Sequence, residues 1–265
     1  MTARAALVRM LRPAYARRPA NGEMTLVEHL AELRRRLVIS LLAVAVGAVG
    51  GFFLWDRVLD LATDPYCRAQ AARGAQAVVG GSACQLVITS PLELFTTRLS
   101  VAGYLGLFFA SPVVLWQLWR FITPGLHPKE KRYAVPFVTG SVVLFALGAT
   151  IAWLTFPRAI QFLLAIGGEH VLTLFNPSPY LKLVFVMMLI FGLVFELPLV
   201  LVFLELAGAV SSAALRKWRR HAIVTNFVVA AVATPSQDPY SMCAMAVPMC
   251  VLYEVAILVG RALKR

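Results

Sequence analysis

Long apolar stretches, separated by short polar ones, organise this chain. Nearly uninterrupted apolar runs occupy residues 37–55, 99–118, 135–156, 181–206, 222–233 and 242–260. A helix needs about 20 apolar residues to cross a hydrocarbon core of about 30 Å, so every run but the fifth is long enough to span. The fifth would make only about 18 Å of helix at about 1.5 Å per residue. It stops at the breaker-rich Thr234-Pro235-Ser236-Gln237-Asp238-Pro239. Counted as a crossing, it requires a locally thinned bilayer. The pattern predicts an all-α integral membrane protein with six transmembrane helices, the last two spans short. A flexible basic arm over 1–24 precedes a single domain over 25–265. Pro112, Pro136, Pro157, Pro198 and Pro248 fall within or at the ends of spans. The kinks they impose are expected to bow the bundle into a concave face.

Charge sets the orientation. Of 25 Lys and Arg, 19 lie in 1–36, 119–134, 207–221 and 261–265; the others are Arg57, Arg68, Arg73, Arg98, Arg158 and Lys182. The positive-inside rule then makes both termini cytoplasmic, and that parity needs an even number of crossings. Six fit once the short run is counted. Basic residues at the inner ends of spans also account for the net charge of +12, so no nucleic-acid partner is implied. A composition of 60% hydrophobic and 14% charged residues contrasts with about 45–50% and about 25% in soluble domains. The first 24 residues are basic, contain proline and lack an apolar core, so no cleaved signal is expected there. Thr25 and Glu28 have capping-box spacing, which starts the first helix ahead of its membrane portion.

The long outer segment 56–98 holds Cys67 and Cys84. A disulfide between them is expected in an oxidising compartment and would be worth about 3 kcal/mol by loop closure. Cys243 and Cys250 sit inside the last span as small apolar filler. Four scattered histidines supply no metal site, and no nucleophile with its base and no Gly-rich phosphate loop appears. Neither a cofactor nor an enzyme is implied.

Carboxylates carry the remaining signal. Glu32 stands in His29-Leu30-Ala31-Glu32-Leu33-Arg34-Arg35-Arg36, and Glu130 in Phe121-Ile122-Thr123-Pro124-Gly125-Leu126-His127-Pro128-Lys129-Glu130-Lys131-Arg132. Both lie on the side of the termini, where two held carboxylates suit a paired guanidinium. Glu196 follows 13 apolar residues, about 20 Å along its helix from the outer end. A carboxyl at that depth is costly and by default functional, while Pro198 bends the helix beside it. Glu205 is expected to be interfacial, and Glu254 nearer the middle of the last span. Glu93 opens a helix at Ser90-Pro91-Leu92-Glu93, and Asp238 sits in a tight outer turn. An ion-coupled secondary transporter using Glu196 is the rival reading. It would place polar residues at midplane on several helices, and its usual internal repeat is not visible.

The ordered motifs His-Leu-x-Glu-Leu-Arg-x-Arg, Ser-Pro-x-Glu, Phe-Ile-x-Pro-x-Leu-x-x-x-Glu-x-Arg, Phe-Glu-x-Pro and Thr-Pro-x-x-Asp span 25–260. Together they resemble TatC, the multispanning subunit of the twin-arginine protein translocase. The resemblance implies a signal receptor and core scaffold in a bacterial plasma membrane. Glu32, Phe121 and Glu130 would bind the Arg-Arg signal peptides of folded cargo, supported by Arg34 and Arg132. Glu196 would contact single-span partners of the TatA and TatB type, and Pro65, Glu93 and Asp238 would be functional on the outer face. It further implies a homo-oligomeric arrangement within a larger complex, driven by the proton-motive force.

Overall fold

A computed structural model describes residues 26–72, 86, 88, 90–122, 134–166 and 176–263. The arm expected over 1–24 lies outside them, as do Glu130, Arg132 and Cys84. The described residues form nine helices: α1 (Leu26–Phe53), α2 (Trp55–Ala72), α3 (Pro91–Ile122), α4 (Ala134–Ile166), α5 (Pro177–Val194), α6 (Leu197–Leu206), α7 (Ser212–Lys217), α8 (Arg219–Ala233) and α9 (Pro239–Leu263). Among the described residues, five segments are long and apolar enough to cross a membrane: Val27–Phe53, Pro91–Ile122, Val135–Ile166, Pro177–Leu206 and Pro239–Ala262.

The apolar runs at 99–118, 135–156, 181–206 and 242–260 fall within these segments, and the run at 37–55 does so up to Phe53, where the helix ends and Trp55 opens α2; 222–233 falls in α8, which at 15 residues is too short to qualify by length. Of the two spans expected to be short, only this one is. Helix α9 runs for 25 residues, because Pro239 and Tyr240 before the apolar run and the turn around Arg261 after it continue the helix. The fourth apolar run is a broken helix, as Pro198 foretells. Pro198 has no N–H to offer the Val194 carbonyl, so hydrogen bonding shifts at the break. Phe195 N–H donates to Phe191 C=O at 3.0 Å, Glu196 N–H to Leu193 C=O at 3.1 Å, and Val200 N–H resumes the ladder on Glu196 C=O.

Helix α2 is the main departure from expectation. Its 18 residues are too polar to register as a membrane run, yet Trp55, Ala62 and Tyr66 are buried, with Val58 and Leu59 packed beside them. Spacings of three and four put these side chains on one helical face. That face rests on the core, where Tyr180 donates its hydroxyl to Ala62 C=O at 2.7 Å and its ring meets those of Tyr66 and Phe156.

The helices stand roughly in a row. Helix α1 packs almost entirely on α3, α3 then touches α4 and α5, and α9 bridges α4 and α6 to α8 at the far side. The α1–α3 contact is unusually close because glycines line it: a Cβ on Gly106 would lie 2.6 Å from the Val44 carbonyl oxygen, and one on Gly47 would lie 3.0 Å from the Gly106 carbonyl oxygen. Gly106→Leu is therefore expected to force α1 off α3 at an overpacking cost of about 1–3 kcal/mol or more. A thermal midpoint several degrees below wild type in detergent is the expected readout, and an unchanged midpoint would count against this contact as the determinant of α1 placement.

Candidate functional site

The start of α1 and the end of α3 meet at the Lys/Arg-rich end of the bundle. The His29 ring stacks on Phe121 with centroids 4.5 Å apart and planes at 25°. About two turns along α1, Arg36 donates from Nη1 to Gln117 Oε1 at 3.4 Å. These two contacts fix the register of α1 against α3. Arg36 also pairs with Glu32, one turn away on the same helix, through Nε at 3.1 Å and through Nη2. Glu32 is thus held, half-buried, by Arg36 and lies one turn along α1 from His29. Arg34 points to the surface, whereas Arg35 has a buried Nε without a hydrogen-bond partner. Sequence reasoning named Glu32 and Phe121, and the structure brings their helices together. It missed the parts played by His29, Arg36 and Gln117, since spacing along one helix cannot show a contact between two.

A second polar group lies deeper. Trp119 donates its indole N–H to Ser141 Oγ at 3.1 Å, and the Ser141 hydroxyl donates to Glu196 Oε2 at 2.5 Å. All three are buried, and Glu196 Oε1 has no hydrogen-bond partner. The backbone break before Pro198 puts Glu196 at the N-cap position of α6 without a side-chain capping bond. Its carboxylate is left available to neighbouring helices. Half of it is engaged by α4, and the other half is unmet.

Glu205 corrects an expectation. Its side chain is fully buried, with neither carboxyl oxygen hydrogen-bonded, and it packs against Gly260 of α9 so closely that a side chain there would collide with it. The sequence placed it at the interface because it lies in the last turn of α6; the glycine opposite, which makes room for the carboxyl, was the missing signal. Glu254 instead forms an ion pair with Arg219 at 2.6 Å, half-exposed at the α8–α9 contact.

At the opposite end, Asp238 caps α9. Its Oδ1 accepts from Ser241 N–H at 2.7 Å and its Oδ2 from Ser236 Oγ at 2.5 Å, with Pro239 following in the first turn. The preceding Gln237 has φ 48°, a left-handed conformation that closes the turn. Asp238→Ala should cost about 1 kcal/mol of cap stability, whereas Asp238→Asn keeps the acceptor for Ser241; thermal midpoints of the two variants would separate them, and equal midpoints would contradict the cap. Pro65 is buried inside α2, one turn from the core residue Ala62. Glu93 lies in the first turn of α3, where its backbone carbonyl accepts from Thr97 Oγ1 at 2.7 Å. Arg98 seals the same end by donating to Phe52 C=O at 3.1 Å with its guanidinium 4.3 Å over the Phe52 ring. Cys67 is disulfide-bonded, while Cys243 and Cys250 are free.

Comparison with known proteins gives a consistent result. The family model described as Sec-independent protein translocase protein (TatC) matches residues 28–248. A protein of that name from Frankia casuarinae is 45% identical over 241 residues, covering 91% of this chain and 66% of the relative. Another from Corynebacterium kroppenstedtii is 36% identical, covering 91% of this chain and 62% of the relative. The chain thus spans a little under two-thirds of the length of these two relatives. Among solved structures, a crystal structure of the twin arginine translocase receptor TatC superposes with a TM-score of 0.69 at 34% identity, covering 90% of this chain and 100% of that one. A membrane-spanning helical bundle, the helix break at Phe-Glu-x-Pro and a family model running through both polar sites agree: the chain belongs to the TatC family of twin-arginine, Sec-independent protein translocases.

Proposed function

We propose that this protein is the signal receptor and core scaffold of a twin-arginine translocase. The observation that carries the reading is the placement of Glu32 one turn from the His29–Phe121 stack at the Lys/Arg-rich end; Glu130 follows Phe121 by nine residues in the sequence. Two carboxylates and an aromatic ring suit a signal peptide bearing paired arginines. A guanidinium is planar, permanently charged and able to bind a carboxylate through two parallel hydrogen bonds, and lysine does not reproduce that fork. In the free protein Arg36 occupies Glu32 and would be exchanged for the incoming arginine. Arg34 and Arg132 support the site from its rim.

The topology that goes with this function has six crossings, α8 being the short fifth, with both termini in the cytoplasm of a bacterium and the bundle in its plasma membrane. The concave face of the bundle receives the apolar part of the signal. Single-span partners of the TatA and TatB type then assemble around Glu196, whose free carboxyl oxygen offers an acceptor to a polar group on a partner helix. Pro65, Glu93 and Asp238 shape the outer face, and a Cys67–Cys84 disulfide ties down its long segment. The protein performs no chemistry of its own. It acts in more than one copy within a larger complex, and the proton-motive force drives transport.

Export of a folded reporter tests this. In cells whose own receptor is deleted, the wild-type chain should restore export of a reporter with an Arg-Arg signal, and Glu32→Ala with Glu130→Ala should abolish it while Sec-dependent export continues. Full export by the double variant would overturn the receptor assignment.

A further inference from the structure

We propose that the α7–α8 junction binds one anionic phospholipid of the cytoplasmic leaflet, headgroup on its cations and acyl chain along α8; the leaflet rests on the six-span topology above. Arg216, Lys217, Arg219 and Arg220 surround Trp218, all exposed within a stretch of five residues. Glu254 claims Arg219. Arg216, Lys217 and Arg220 form no ion pair with a described residue, so three cations are open to a phosphate.

The junction is built, not loose. Ser211 caps α7 by accepting from Ala214 N–H at 3.1 Å, Leu215 is buried, and Tyr253 of α9 donates its hydroxyl to Leu215 C=O at 2.8 Å. Trp218, 60% exposed, bridges α7 to α8 and leans on the His221 ring at 5.2 Å. An exposed tryptophan with a polar edge among cations is what a membrane interface selects.

Below it, Arg220, Val224, Val228 and Val232 recur every four residues, each a neighbour of the next along a stripe that winds by about 120° around α8 from first to last. The three valines are 63%, 56% and 84% exposed. From Arg220 to Val232 the helix rises about 18 Å, close to the roughly 15 Å of one leaflet's hydrocarbon. A cationic head on an apolar stripe one leaflet long is complementary to a single anionic lipid. Charge complementarity favours that occupant over an uncharged partner helix, which the stripe alone would also fit.

Native mass spectrometry of the full chain in detergent, titrated separately with phosphatidylglycerol and phosphatidylcholine, tests the site. Wild type should retain phosphatidylglycerol preferentially, and the triple variant Arg216→Gln, Lys217→Gln, Arg220→Gln should lose that preference by about tenfold, since each interfacial cation contributes to anionic-lipid attraction. An unchanged preference would overturn the proposal. In nanodiscs, the fluorescence removed by Trp218→Phe should be quenched more by brominated phosphatidylglycerol than by brominated phosphatidylcholine; equal quenching would overturn it. A photo-crosslinker at position 228 that captures a protein helix and no lipid would assign the stripe to a partner instead. Lys217→Cys should be labelled by an impermeant reagent only after the membrane is opened. Labelling in intact cells would overturn the topology separately from the lipid result.

Discussion

Glu32→Gln is expected to weaken binding of an Arg-Arg signal peptide by about 10- to 100-fold, the worth of a hydrogen-bonded charge pair of about 1.5–3 kcal/mol. The structure supplies a competing explanation for Glu32, because its carboxylate already pairs with Arg36 one turn away. A solvent-exposed pair at that spacing adds only about 0.3–0.5 kcal/mol to its helix, but these side chains are 12% and 23% exposed, so the pair contributes more than that and the two roles need separating by experiment. Arg36→Gln separates the two roles. If Glu32 receives the peptide, freeing it from Arg36 should preserve or tighten binding. Binding lost equally in Arg36→Gln and Glu32→Gln would mean that the pair serves only to hold α1 against α3.

Glu196→Leu is expected to abolish export of twin-arginine cargo to below about a tenth of wild type while leaving the fold as stable or more so. Glu196 is buried with one oxygen unpartnered, and replacing a buried polar or ionic group by an apolar one of similar volume is often neutral or stabilising by about 1–4 kcal/mol. The rest of the network survives the change: Trp119 still donates to Ser141 Oγ, and the Ser141 hydroxyl can turn to a carbonyl of its own helix. Thermal midpoint and export measured on one variant decide the matter. A large fall in both would make Glu196 a structural residue.

Membrane segments were legible because lipid makes apolar length an almost sufficient signal. The same criterion hid α2, whose amphipathic face at Trp55, Ala62 and Tyr66 serves a protein core at one end of the bundle. Pro198 announced the break beside Glu196, but Ser141 as its partner lies 55 residues away and no local pattern points to it. Likewise the Phe121 motif was readable, while its stack on His29 depends on glycines at 47 and 106 letting α1 approach α3. Glu205 was misplaced because burial of a carboxyl near a helix end depends on what stands opposite, here Gly260. Chemistry-bearing residues were visible one at a time, and their pairings arise from helix packing.

The most direct measurement is the affinity of fluorescent Arg-Arg and Lys-Lys signal peptides for the purified protein in nanodiscs, wild type against Glu130→Ala. A receptor built on paired carboxylates predicts tighter binding of the Arg-Arg peptide by wild type, with the difference collapsing in the variant. Equal binding of both peptides by both proteins would contradict it, leaving the carboxylates to orient their own helices and returning weight to a transporter centred on Glu196.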